Sequence, residues 1–114
     1  MSANPKTSRS GPVRPSGLNH LVINVRDMDE SHEFWSDIIG FTQVGEIKDR
    51  PGLKMRFYSG DHDGKLNHHD IALVEDSSLP KPTEEWTMGV KGLAINHIAV
   101  TLPSREAWLA QLEY

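Results

Sequence analysis

The stretch Leu18-Asn19-His20-Leu21-Val22-Ile23-Asn24-Val25 is repeated further along the chain as Ile95-Asn96-His97-Ile98-Ala99-Val100-Thr101-Leu102. Both copies place Asn-His before a run of apolar and β-branched residues, which is typical of a β-strand. Side chains alternate between the two faces of a strand. One face of the first copy is therefore wholly apolar, and we expect a helix to cover it. The other face, which begins with His20, is smaller and more polar, as the wall of a cavity would be.

His20 and His97 occupy the same position in the two copies. A single strand histidine is usually an ordinary hydrogen-bonded residue. Two histidines at equivalent points of two repeated units are what a shared metal site would require. The repetition therefore favours the interpretation that His20 and His97 are metal ligands.

The composition limits the chemistry. The chain has 114 residues, enough for one small domain, and a net charge of −4, which offers no basic surface to nucleic acid or to an anionic membrane. It has no cysteine, which excludes disulfides, thiolate catalysis and cysteine-based zinc sites. Its six histidines leave imidazole and carboxylate as ligands, a set that suits iron, manganese, zinc or nickel. No apolar run is long enough to cross a bilayer or to form a signal peptide, so we expect a cytoplasmic protein.

The chain divides into four segments. Residues 1–16 are rich in proline, glycine and serine and are predicted to be a flexible tail. Residues 17–76 are predicted to form a first βαβββ module, 77–92 a linker, and 93–114 the start of a second module. The second module would contain only a strand and a helix opened by Pro103-Ser104. We therefore expect the sequence to be a fragment, or to be completed by a partner.

Within the first module, apolar spacing predicts a helix over 28–39 between a strand at 18–25 and later strands at 41–47, 53–59 and 67–75. The apolar stripe of the helix should pack on the first strand, and it consists of Met28, Phe34, Trp35, Ile38 and Ile39. Gly40 is placed to end the helix. Residues 60–65 are predicted to be a solvated loop.

The last of these strands carries the second informative pattern. Alternation places His69, Ile71, Leu73 and Glu75 on one face and His68, Asp70, Ala72 and Val74 on the other. The pattern does not decide which face looks into the cavity. It does predict that His68 and His69 point in opposite directions.

These residues resemble the vicinal oxygen chelate superfamily, which includes glyoxalase I, extradiol ring-cleaving dioxygenases, fosfomycin-resistance and bleomycin-binding proteins, and methylmalonyl-CoA epimerase. The resemblance is carried by the paired Asn-His strands, by Ile38-Ile39-Gly40-Phe41 and by His68-His69-Asp70-Ile71-Ala72-Leu73. It implies an α+β fold of paired βαβββ modules whose sheets form a metal-holding cup. The second module would here be truncated after its first strand and helix.

The last of these motifs, His68-His69-Asp70-Ile71-Ala72-Leu73, most resembles the extradiol dioxygenases. That resemblance implies His20 and His97 as ligands of Fe(II), with Mn, Ni or Zn as alternatives, and His69 as an acid–base residue beside the substrate. The substrates would be a catechol-like aromatic diol and O2. A third ligand, a glutamate, would lie beyond Tyr114. Modules of the superfamily often pair between subunits, so a homodimer or a higher oligomer is expected.

Two other functions remain open. A glyoxalase- or epimerase-like lyase or isomerase would use a carboxylate at the end of the fourth strand as a ligand, and Glu75 is the candidate. A metal-free binding protein of the bleomycin-resistance type would use the cup for a ligand without the histidine pair. Of the remaining histidines, His32 and His62 are interpreted as ordinary helix and loop residues, and His68 as structural or exposed.

Overall fold

The structure, a computed structural model, describes residues 11–81, 95 and 97–114. Its elements are β1 (Leu21–Val25), α1 (Met28–His32), β2 (Thr42–Arg50), β3 (Leu53–Ser59), β4 (Asp61–His62), β5 (Lys65–Leu66), β6 (Ile71–Glu75) and α2 (Arg105–Glu113). Four strands form one sheet in the order β1-β6-β3-β2, and β4 pairs with β5 in a separate hairpin. This arrangement confirms the predicted α+β fold with about one βαβββ module.

The pairing of β1 with β6 positions the candidate site. The two strands are parallel, with Leu21 opposite Ile71 and Val25 opposite Glu75, whereas β3 pairs antiparallel with both β6 and β2. Parallel strands begin at the same end of a sheet. His20, just before β1, and the residues just before β6 therefore lie next to each other.

The two faces of the sheet differ as alternation predicts. On one face, Ile23 and Val25 pack against a buried cluster under α1. The cluster contains Met28, Tyr58, Ile71 and Leu73. On the other face, Val22 and Asn24 are exposed. We call this second face the open face.

The first helix begins as predicted. Asp27 caps it, because its side chain accepts a hydrogen bond of 3.0 Å from the Glu30 backbone amide. It ends at Gly40, whose φ of +100° suits glycine. Both ends of the predicted helix over 28–39 are thus confirmed.

The second half of this helix differs from the prediction. After α1 the chain continues as a π-helix over Glu33–Ile38, in which the Ile39 amide bonds the Phe34 carbonyl at 2.9 Å. Because a π-helix bonds residues five apart, the 3.6-residue spacing of the predicted stripe no longer holds. Trp35 turns inward and stacks on Phe41, with ring centroids 5.9 Å apart. Phe34 and Ile38 are 45% and 46% exposed, so their prediction as core residues is wrong.

The segment between β3 and β6 also differs. Residues 60–65, predicted as a loop, contain β4 and the turn to β5, in which Asp63 and Gly64 both have positive φ. The strand predicted over 67–75 is shorter than expected, because β6 begins at Ile71. Residues 67–70 instead form an irregular connection that leads into the strand.

The second copy of the repeated stretch differs in structure from the first copy. Among the described residues of the predicted strand at 95–102, none is in a strand. An extended segment forms a strand only when it is hydrogen-bonded to a partner strand, and no described strand is hydrogen-bonded to this one. The helix predicted after Pro103-Ser104 does form, as α2, with the Ser104 side chain accepting from the Ala107 amide at 3.1 Å.

The segment boundaries are in part outside the described residues. Residues 1–10 of the predicted tail and 82–92 of the predicted linker are not described, and the division into segments stays a prediction. None of the helices within the described ranges is long and apolar enough to span a membrane.

Candidate active site

Three imidazoles lie together at the end of the sheet where β1 and β6 begin. The ring centroids of His20 and His69 are 4.3 Å apart, those of His68 and His69 are 4.6 Å apart, and those of His20 and His68 are 5.9 Å apart. We call His20, His68 and His69 the histidine cluster. The parallel register of β1 and β6 explains the contact, because it places the residues before the two strands side by side.

His20 has a defined ring orientation. Its Nδ1 lies 2.7 Å from the Asn19 side-chain oxygen. An amide oxygen only accepts hydrogen bonds, so Nδ1 carries the proton and donates it. The Nε2 lone pair of His20 is then available to a metal ion. A hydrogen-bond acceptor at the other ring nitrogen usually fixes the tautomer and the orientation of a ligand histidine in this way. The Asn-His pair in the repeated stretch was the sequence signal for this role, although sequence reasoning assigned none to Asn19.

His69 sits between His20 and the aromatic ring of Phe57, whose centroid is 4.9 Å away. Phe57 alternates along β3 with the buried Tyr58, so it lies on the open face. Burial lowers the pKa of His69, and the neighbouring His20 and His68 lower that pKa further. His69 is therefore neutral at pH 7 and has a lone pair with which to accept a proton.

The structure contradicts the prediction that His68 points away from His69. The two Nδ1 atoms are 3.0 Å apart, so one donates a hydrogen bond to the other. Strand alternation fails here because both residues precede β6, in the irregular connection where period-two geometry does not apply. His68 remains exposed, as predicted, but it belongs to the histidine cluster.

Glu75, the alternative metal ligand, lies at the opposite end of β6. Its Oε2 accepts a 2.8 Å hydrogen bond from the Met28 amide at the start of α1 and lies 3.7 Å from Lys54 Nζ. Ile71 and Glu75 are four residues apart, so about 13 Å of strand separates the two ends. The contacts of Glu75 therefore direct it towards the helix rather than towards the histidine cluster.

The other two histidines have ordinary partners. His32 Nδ1 lies 2.9 Å from the hydroxyl of Tyr58, whose pKa is raised by burial. His62 Nε2 lies 2.8 Å from Asp70 Oδ2. Neither residue joins the histidine cluster.

A sequence model of the Glyoxalase/Bleomycin resistance protein/Dioxygenase superfamily matches residues 17–114. The chain belongs to this superfamily. The match begins just before the first copy of the repeated stretch and includes the second.

Two solved structures share the superfamily fold with this chain. The fosfomycin resistance protein FosX from Listeria monocytogenes, determined in complex with Mn(II) and sulfate, gives a TM-score of 0.53 at 19% identity, over 88% of this chain and 71% of FosX. The protein SMU.1112c gives a TM-score of 0.58 at 19% identity, over 88% of this chain and 74% of that protein. At these identities the likeness shows the fold alone.

Some members of the superfamily bind divalent metals, as FosX binds Mn(II). Across residues 11–81, 95 and 97–114, no group of three or more histidine, aspartate or glutamate side chains is arranged to hold an ion. His97 is exposed, on the segment before α2 that forms no strand. The pairing of His20 and His97 on one ion therefore stays a prediction. The described residues offer one imidazole with an oriented ring, that of His20, and do not complete a metal centre by themselves.

Proposed function

We propose that this chain contributes to the metal site of an extradiol-type ring-cleaving dioxygenase, acting on a catechol-like aromatic diol and O2. The observation that carries the proposal is the contact between His20 and His69 on the open face. It places a neutral imidazole beside a histidine whose Nε2 is free to bind a metal. An extradiol site needs this pair, a ligand with an acid–base group next to it.

In this proposal His20 and His97 are two ligands of the ion, and a carboxylate from outside the described residues is the third. The leading ion is Fe(II), with Mn, Ni or Zn as alternatives, and the Mn(II) in the FosX complex supports a divalent metal. When bound by two histidines and one carboxylate, ferrous iron offers open positions to the two adjacent oxygens of a diol and to O2.

The role of His69 follows from its surroundings. Because burial keeps the pKa of His69 below its ordinary value, the ring is uncharged at neutral pH, and one of its nitrogens has no proton. It is then able to take the proton of a diol hydroxyl bound beside His20 and to return it later in the reaction. Phe57 contacts the ring in a tilted arrangement, with the ring centroids 4.9 Å apart, and reduces its contact with water.

A turnover experiment tests the proposal. The protein is loaded with Fe(II) without oxygen, mixed with a series of catechols and exposed to air, and a yellow ring-fission product is expected. His69→Gln should lose turnover and keep its iron, since the ligands remain. His32→Gln is the matched control, because His32 lies on the helix side of the sheet and bonds Tyr58, and it should keep turnover.

The same experiment distinguishes the two other functions. Iron-loaded wild-type protein that forms no product from any of several catechols would refute the dioxygenase proposal and favour a lyase or isomerase. Protein that is folded but retains no metal after purification without a chelator would favour the binding-protein function. The contacts of Glu75 with α1 and Lys54 support neither alternative.

We also infer that a second copy of the chain completes the fold. β1 is at the edge of its sheet, and Val22 on the open face is 49% exposed. Further apolar side chains are exposed on the helices, at Phe34, Ile38, Trp108 and Leu112. Exposed apolar side chains in this number are typical of an interface. Light scattering after gel filtration should give the mass of a dimer, and a monomer at micromolar concentration would contradict the inference.

A further inference from the structure

Asp70 connects three parts of the structure at the point where the histidine cluster forms. Its carboxylate Oδ2 accepts hydrogen bonds from the Gly60 amide at 2.7 Å and from His62 Nε2 at 2.8 Å. Its backbone amide donates to the Tyr58 carbonyl at 2.8 Å, and its carbonyl accepts from the Leu21 amide at 3.1 Å. The residue that follows His69 is thus bonded to the residue that follows His20.

We propose that Asp70, held by Gly60 and His62, is the positioning residue that fixes His69 against His20. We call the three residues Asp70, Gly60 and His62 the Asp70 bridge. The inference rests on the proposed function for its chemical meaning. It goes beyond that function by assigning a role to Asp70 and His62, which touch neither the ion nor the substrate in the proposal.

The backbone of residues 67–70 leads into β6. Asp70 is held by backbone hydrogen bonds to Tyr58 of β3 and Leu21 of β1, whereas residues 67–69 make no such bonds to the neighbouring strands. The segment is anchored at its start by the Asn67 amide, which donates to Ser59 Oγ at 2.8 Å, and at its end by Asp70. His68 and His69 lie between these anchors. The ring positions of both histidines therefore depend on whether the anchors hold.

The carboxylate anchor is charged and close. Burial alone would raise the pKa of Asp70, but the hydrogen bonds from the Gly60 amide and His62 lower that pKa overall. Asp70 is therefore ionised at neutral pH, and hydrogen bonds to a charged acceptor are stronger than those between neutral groups. Space at Gly60 is limited on one side, because a Cβ there would lie 3.3 Å from the Phe41 ring, whereas its distance of 3.5 Å from Asp70 Oδ2 would be an ordinary contact.

The test uses the full chain and three variants. Asp70→Ala removes the hydrogen bonds that the carboxylate accepts, including those from the Gly60 amide and His62, and His62→Ala removes the one donated by this exposed hairpin residue. Glu75→Gln is the matched control. The Glu75 side chain, on β6, also accepts a hydrogen bond from a backbone amide, that of Met28, but at the other end of the strand. The first readout is the nuclear Overhauser effect between the His20 and His69 ring protons in metal-free protein. The second is the dissociation constant for Co2+.

We expect Asp70→Ala to lose the ring-to-ring signal and to keep the wild-type affinity for Co2+, because His69, the residue that Asp70 positions, is not a metal ligand in the proposed site. His62→Ala should weaken the ring-to-ring signal in the same direction, and Glu75→Gln should change neither readout. If Asp70→Ala does not fold, His62→Ala and Asp70→Asn decide the question.

Two failures are distinguishable. Folded Asp70→Ala and His62→Ala proteins with the wild-type ring-to-ring signal would overturn the positioning role of Asp70. Wild-type protein that keeps the ring-to-ring signal but binds no Co2+ would instead refute the proposed metal site, and the same variants would still test the bridge through the ring signal alone.

Discussion

Replacing Glu75 by alanine separates a structural carboxylate from a metal ligand. In the structure Glu75 Oε2 accepts from the Met28 amide at 2.8 Å, and a net contribution of about 1.5–3 kcal/mol is typical of a hydrogen bond to a charged group. The Lys54 ion pair, at 3.7 Å and with both side chains partly exposed, adds at most about 1 kcal/mol. We expect Glu75→Ala to lower the free energy of unfolding by about 2–3 kcal/mol.

Urea denaturation followed by circular dichroism measures this loss. With a urea m-value of about 1–2 kcal/mol per M for a small domain, the midpoint should fall by about 1–3 M. Glu75→Gln keeps an acceptor for the Met28 amide and should lose about half as much. Both variants should bind Co2+ with the wild-type affinity. A Glu75→Ala protein with the wild-type midpoint but no Co2+ binding would refute this reasoning and identify Glu75 as a ligand.

Three further predictions concern the core and two titrating groups. Leu73→Ala, in the buried cluster, should lower the free energy of unfolding by about 2–5 kcal/mol in urea denaturation. Val22→Ala, on the open face, should change it by no more than about 0.5 kcal/mol. Equal losses for the two variants would contradict the assignment of the two faces. The ring of His69 should titrate below the ordinary histidine value of about 6.5 in an NMR pH series, and a pKa at or above that value would contradict its burial beside two imidazoles. The folded pKa of Asp70 is lowered, so its stabilising effect is present above the unfolded value of about 4 and is lost as the pH falls through the folded value. The difference in unfolding free energy between wild type and Asp70→Asn should therefore shrink on acidification below about pH 4, and a difference independent of pH would contradict it.

The regular part of the fold was predictable from the sequence. The alternation of β1 predicted both its faces, apolar spacing and Gly40 predicted the ends of the first helix, and Pro103-Ser104 predicted the start of α2. These features depend on local periodicity and capping, which a sequence contains directly.

The irregular parts were not predictable in the same way. The π-helix over Glu33–Ile38 depends on Trp35 reaching Phe41, a tertiary contact that helical periodicity does not reveal. The grouping of His68 with His69 depends on β6 beginning at Ile71, and strand boundaries are set by pairing rather than by pattern. The resemblance supplied His20 and His69 as functional candidates, but the sequence did not supply their contact or the anchoring role of Asp70.

The claim that His20 and His97 share one ion is tested most directly by following histidine ring nitrogens during a titration of the full chain with Zn2+. Coordination changes the chemical shift of the nitrogen that binds the metal. The proposal predicts that His20 Nε2 and one ring nitrogen of His97 change together, with one affinity and at one ion per site, while the ring of His32 does not change. Shifts at His20 and His97 that follow different affinities, or a response at His68 and His69 alone, would contradict it.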